Sequence, residues 1–181
     1  MDYYQQFTLL PDPEFSETTL MNALIAKLHR ALHDSGEGEV GVSFPTLNKT
    51  LGSILRLHGT QDALGRLGSN WFKGMRDHCD ISKIDAVPET NEWCKVIRRQ
   101  PKLTAAKLRR NIKHNIYDES KAENIWSESA DKTLKGPYAQ IKSLSSGHQF
   151  RLYIEQWRQS NEVKGSFNRY GLSSIATVPW F

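Results

Sequence analysis

Between Trp93 and Tyr117 the 181-residue chain has no aspartate and no glutamate. It has only two cysteines, Cys79 and Cys94, without CxxC spacing. That argues against a disulfide framework or a cysteine metal knuckle and fits a reducing, cytoplasmic setting. No apolar run approaches the roughly 20 residues that span a bilayer, so no membrane is expected as a partner. The opening MDYYQQFTLLPDPEF has an acid at position 2 and no basic stretch, so it does not read as a signal peptide. A Walker loop, GxGxxG, HExxH and GxSxG are all missing. With them go the usual signatures of nucleotide hydrolysis, dinucleotide redox chemistry, zinc proteolysis and the serine-hydrolase elbow. The chain shows no internal repeat and no low-complexity linker.

The segment that lacks acids is rich in bases. Lys95, Arg98, Arg99, Lys102, Lys107, Arg109, Arg110 and Lys113 all fall within it. Setting these eight aside leaves 16 basic residues against 20 acidic ones, so the net +4 of the protein is one positive element on a slightly acidic body. Such an element suits a polyanion, nucleic acid above all. The bland alternative is a solvated helix face, but such faces usually mix signs in i,i+4 pairs.

Hydrophobic residues make up 38% of the chain, enough for a folded protein. Tyr3 to Leu10 alternates and predicts a strand ended by Pro11 and Pro13. Ser16 or Thr18 caps a helix to about Asp34, with Leu20, Leu24, Leu28 and Ala31 along its apolar stripe. Val40, Val42 and Phe44 predict a second strand and Ile54 to His58 a third. Thr60 opens a short helix ended near Gly68, and Ile81 to Val87 predicts a fourth strand. Trp71 to His78 reads either way. The order β-α-β-β-α-β is the ferredoxin-like, RRM-like pattern of an α+β fold. After Pro88 the composition shifts, placing a soft boundary near residue 91 between parts 1–91 and 92–181. The second part is expected to hold a strand or extended arm over 93–100 and a basic helix from Thr104 to about Asn115. A further helix from Asp118 to Ser129, strands over 139–145 and 149–157, and a last strand near Phe167 to Leu172 complete it.

Several side chains carry chemistry. His29 lies four residues after Ile25, at the edge of the apolar stripe, where a lone histidine is most often an ordinary border residue. His29 and His33 share i,i+4 spacing, but no third ligand in sequence supports a metal. Ser143, Ser145 and Ser146 are either turn residues before Gly147 or hydroxyls that hold a phosphate or ribose. Phe150 and Tyr170 are either core residues or aromatics that stack on bases.

PDPEF after the first strand, LMNALIAKLHRAL with His29, VGVSFP, MRDHC, SGHQFRLYI, YGLS and the terminal VPWF together resemble the type I-F CRISPR repeat-processing endoribonucleases. The similarity spans nearly the whole chain in order and spacing. It implies a ferredoxin-like domain, then a C-terminal α+β region with a basic helix that grasps RNA. It implies cleavage of CRISPR precursor RNA at the base of the repeat hairpin, with no metal and no small-molecule cofactor. It also implies that the enzyme stays on the guide hairpin with other subunits of a surveillance complex. By the resemblance His29 is the catalytic histidine, Ser143 positions the 2′-hydroxyl with Ser145 nearby, and Tyr170 orients the histidine. Phe150 stacks under the terminal base pair. Arg98 and Gln100, with Arg99 between them, read bases in the stem. Lys102, Lys107, Arg109, Arg110, Lys113 and His114 supply the remaining RNA contacts. Asn111 and Asn115 stand where the family pattern has arginines. A non-catalytic hairpin-binding subunit of the same fold is the competing reading.

Overall fold

A computed structural model describes residues 1–35, 38–100, 105–118, 120–121, 134–142 and 147–181, with backbone alone at 105–107. Five strands form the first sheet: β1 (Tyr3–Leu9), β2 (Gly41–Ser43), β3 (Ile54–Gly59), β4 (Cys79–Ile81) and β5 (Asp85–Ala86). Their order is β2-β3-β1-β4, with β5 also on β1, and every pairing is antiparallel. Two helices fill the connections, α1 (Glu17–Ser35) and α2 (Gln61–Leu67). This is the ferredoxin-like arrangement within a mixed α+β fold.

Local chemistry explains these elements. Ser16 Oγ accepts from Thr19 N–H at 3.2 Å and starts α1. Thr60 Oγ1 accepts from Ala63 N–H at 3.1 Å and starts α2. The stripe Leu20, Met21, Leu24, Ile25, Leu28 and Leu32 of α1 is buried with Phe7, Leu55 and Leu57 of the sheet. The stretch 71–78, ambiguous in sequence, contains a 3₁₀ helix over Lys73–His78.

Two expected strands take other forms. Residues 81–87 do not make one strand. Phe7 pairs with Ile81 and Tyr4 with Asp85, so four steps on one side face three on β1. The surplus residue breaks the ladder into β4 and β5 as a bulge does, and Ser82 covers the gap by accepting Gln6 N–H on its hydroxyl at 2.9 Å. Residues 167–172 are also not a strand. Only Phe167 forms a bridge, with Gly38, and a turn follows. The last strand is Val178–Pro179 instead.

That strand is β9 of a second sheet, ordered β7 (Tyr138–Lys142), β8 (Gln149–Gln159), β6 (Trp93–Arg99), β9. α1 meets this sheet too, where Asn22 Oδ1 accepts from Gln140 N–H at 2.9 Å. By compactness the chain divides into residues 1–98 with 136–181, which hold both sheets, and residues 99–135. The composition boundary near 91 falls between the strands of the two sheets. The 99–135 unit carries α3 (Ala105–Lys113). Most of the helix expected from Asp118 to Ser129 lies outside the described residues. No helix among the described residues is long and apolar enough to cross a membrane.

The first sheet buries polar groups. Arg56, 8% exposed, sends Nε and Nη2 to Gln6 Oε1 at 3.1 and 2.8 Å and Nη1 to Phe181 O at 2.6 Å. Its guanidinium lies 3.9 Å from the Phe181 ring centroid. His58, fully buried, meets Ser43 Oγ at 2.8 Å through Nε2. Burial, with the Arg56 charge beside it, pushes His58 down to about 3. The neutral imidazole is therefore the folded form. The unfolded chain takes up a proton below about pH 6.5 while the folded one does not, so stability falls as pH drops from about 6.5 towards 3. The slope from this one group approaches ~1.4 kcal/mol per pH unit. Urea unfolding across that range should show this slope, and His58→Gln, which can still bond Ser43, should lack it.

Candidate active site

α1 buries one stripe, and His29 stands at its border, half-buried. The partner that fixes it comes from far along the chain. His29 Nδ1 lies 3.0 Å from the backbone carbonyl of Arg169. A carbonyl only accepts, so Nδ1 carries the proton and donates it. That leaves the lone pair on Nε2, the atom able to take a proton from a substrate. The next residue, Tyr170, stacks its ring on the imidazole, with centroids 4.2 Å apart and planes 12° from parallel.

The turn that supplies both contacts is held from two sides. Asn168 Oδ1 accepts from Tyr170 N–H at 2.8 Å and Leu172 N–H at 3.3 Å. Asn168 N–H donates to Leu172 O at 2.9 Å, and Gly171 N–H to Asn168 O at 2.8 Å. Gly171 O accepts from Val42 N–H at 3.0 Å, pinning the turn to β2. Gly171 has φ +72°, and a Cβ there would lie 2.6 Å from Val42 Cγ1, so only glycine fits.

Cations gather around the pair. Burial raises the Tyr170 phenol above its ordinary value, opposed by the charges of Arg98 and Arg169. The phenol therefore stays protonated and remains a donor at neutral pH. Arg98, exposed at the end of β6, places its guanidinium 5.7 Å from the ring centroid of Phe150 on β8. Phe150 and Tyr170 are both half-buried against the core, so each is partly a packing residue and partly open. His29, Tyr170, Arg98 and Phe150 are thus in one neighbourhood. Ser143, Ser145 and Ser146 lie outside the described residues.

In the 99–135 unit, Arg99 and Gln100 are exposed. On α3, Arg109, Arg110 and Lys113 are exposed or half-exposed, as is His114 just beyond it, while Leu108 is buried. Lys102 and the Lys107 side chain lie outside the described residues. The helix, expected to reach about Asn115, ends at Lys113. Asn115 has φ 55°, its N–H bonds Ile112 O at 2.9 Å, and Ile116 N–H bonds Asn111 O at 2.9 Å. This is a Schellman ending, and asparagine tolerates the left-handed backbone that arginine would resist. The helix stop thus supplies one physical reason for the departure at Asn115.

Sequence reading missed Asn168, Arg169 and Gly171. A signal is present, since Asn and Gly three apart in NRYG are turn residues, but the apolar spacing around them predicts a strand.

A ferredoxin-like α+β protein with a tyrosine-stacked, carbonyl-held histidine amid arginines has the parts of an acid–base site for an anionic substrate. Residues 4–181 match the family described as CRISPR-associated protein (Cas_Csy4), and the chain belongs to that family. Over the full length of both chains it is 45% identical to the CRISPR-associated endonuclease Cas6/Csy4 of Escherichia coli (strain UTI89 / UPEC). It is 37% identical, again over both full lengths, to the protein of the same name from Pseudomonas aeruginosa (strain UCBPP-PA14).

Gly171→Ala should push the turn off β2 and pull Tyr170 away from His29. The expected cost is roughly 1–3 kcal/mol of stability. In NMR spectra the His29 ring protons should lose their ring-current shift from Tyr170. An unchanged His29 shift in the variant would show that the stack does not depend on this turn.

Proposed function

We propose that this chain is an endoribonuclease that cuts CRISPR precursor RNA at the base of its repeat hairpin and then stays on the guide RNA hairpin. The observation that carries the reading is the His29 site: a fixed tautomer, a stacked tyrosine and nearby guanidiniums, in a chain matching named endonucleases from end to end.

RNA brings its own nucleophile, the ribose 2′-hydroxyl. His29 Nε2 takes its proton as the oxygen attacks the adjacent phosphorus in line. Tyr170 keeps the imidazole oriented, and Ser143 and Ser145 hold the ribose and phosphate. The new P–O bond forms as the bond to the 5′-oxygen breaks, and that oxygen takes a proton from solvent as it leaves. The products are a 2′,3′-cyclic phosphate and a 5′-hydroxyl. No water is activated, so this route needs no metal ion. Phe150 stacks under the terminal base pair, and Arg98 with Gln100 reads stem bases. Lys102, Lys107, Arg109, Arg110, Lys113 and His114, with Arg99, neutralise phosphates. The retained hairpin would sit among other subunits of a type I-F surveillance complex in the cytoplasm.

A 2′-deoxy nucleotide just 5′ of the scissile phosphate should abolish cutting while binding hardly changes. His29→Ala should slow cleavage by at least ~10²-fold, again with binding near wild type. Chelators should leave both unaffected. Cutting of the deoxy substrate, or a need for Mg²⁺, would replace the 2′-hydroxyl by a water nucleophile and overturn the scheme.

Replacing Arg109, Arg110 and Lys113 together by alanine should weaken binding to every hairpin. The slope of log affinity against log salt should flatten by about 0.7–0.9 for each phosphate no longer neutralised. Arg98→Ala should instead cost roughly 1–3 kcal/mol against the cognate stem and relax sequence choice. A wild-type salt slope in the triple variant would make the helix a solvated face.

A further inference from the structure

A cavity of about 510 Å³ opens between α1 and α2, on the flank of α1 away from His29. Lys27, Arg30, Arg66, Asn70, Trp71 and Asp34 line it. Arg66 is committed to Glu39 and Asp62. Lys27 and Arg30 have no acidic partner among the described residues, and the indole Nε1–H of Trp71 is buried without an acceptor. Among the described residues Asp34 is the one acid on the wall. The groove is therefore rich in donors and short of acceptors, which suits an anionic, acceptor-rich ligand.

Its position relates it to the candidate active site. At about 100° per residue, Arg30 stands on the outward face of α1 next to His29, and Lys27 lies roughly 160° around from His29. A strand leaving His29 over the outside of the helix meets Arg30 first and Lys27 next. Ala23 and Ala26 are the partly exposed small residues on that side, and they leave the surface low.

We propose that this groove binds the single-stranded RNA that continues 3′ of the cut, with Lys27 and Arg30 on its phosphates. This rests on the endoribonuclease reading above. A phosphodiester strand fits better than an acidic peptide because the path begins at the reacting phosphate itself. The groove adds affinity for uncut precursor and none for the product hairpin, so after cleavage the severed downstream fragment is held by the groove alone.

The test uses the full chain and two RNA probes made uncleavable by a 2′-deoxy nucleotide at the cut. One ends at the scissile phosphate and the other carries a ten-nucleotide 3′ strand. Lys27→Ala with Arg30→Ala should weaken binding of the long probe on the order of tenfold and flatten its salt slope by about 0.7 for each phosphate left without its cation. Affinity for the short probe should not change, which also shows that the variant is folded. Arg30→Gln alone should give a smaller loss of the same kind. Equal losses on both probes would make these residues stem contacts, and no loss on either would make the groove a protein-docking or solvated surface. Either result overturns the proposal. If the wild-type protein fails to cut all-ribose RNA, the endoribonuclease reading falls, while the long-to-short contrast still reads the groove.

Discussion

Burial of one stripe of α1 is the constraint on which the other features depend. Leu20, Met21, Leu24, Ile25, Leu28 and Leu32 leave the helix only one rotation on the first sheet. That rotation sets His29 at one border, Arg30 outward and Lys27 at the other border. Asn22, on the His29 side, ties the same helix to β7. Held on both sheets, the helix cannot roll without breaking one of the two contacts, and the imidazole keeps its place.

The proton of the histidine is then fixed as well. Arg169 offers a backbone carbonyl, which cannot switch between donor and acceptor as a hydroxyl or amide can. The tautomer follows from that choice. The carbonyl holds its place because Asn168 closes the turn and Gly171 lies against β2, too close for any side chain. Precision at His29 is thus inherited from the interior of the first sheet. There Arg56 and His58 are buried with their own partners, and His58 is held neutral.

Where sequence patterns were strong, they located structure well. The amphipathic stripe of α1, the Thr60 cap, the alternation in β1 and the acid-free basic stretch each state a local preference, and local preferences survive folding. The order of elements then left few ways to pair the strands. The misreadings have physical causes. Ile81 to Val87 has strand composition throughout, but one surplus residue opposite β1 splits it. Phe167 to Leu172 has strand-like apolar residues, but the side chain of Asn168 competes for the backbone N–H groups and wins. Val178–Pro179, two residues long and containing proline, carries no strand pattern, and its place comes from tertiary contacts, the pairing with β6 and the burial of Val178 in the core.

His29 was legible as a residue at the edge of a stripe, and resemblance to a family gave it a role. Composition alone showed where positive charge concentrates and which large classes of chemistry lack their motifs. Those are properties of neighbours in sequence. The tautomer of His29, the stack of Tyr170 on it, the company of Arg98 and Phe150, and the donor-rich groove at Lys27 and Arg30 are of another kind. His29 and Arg169 are 140 positions apart. Contacts over that separation depend on how sheets and helix close on one another, and only the tertiary structure decides that.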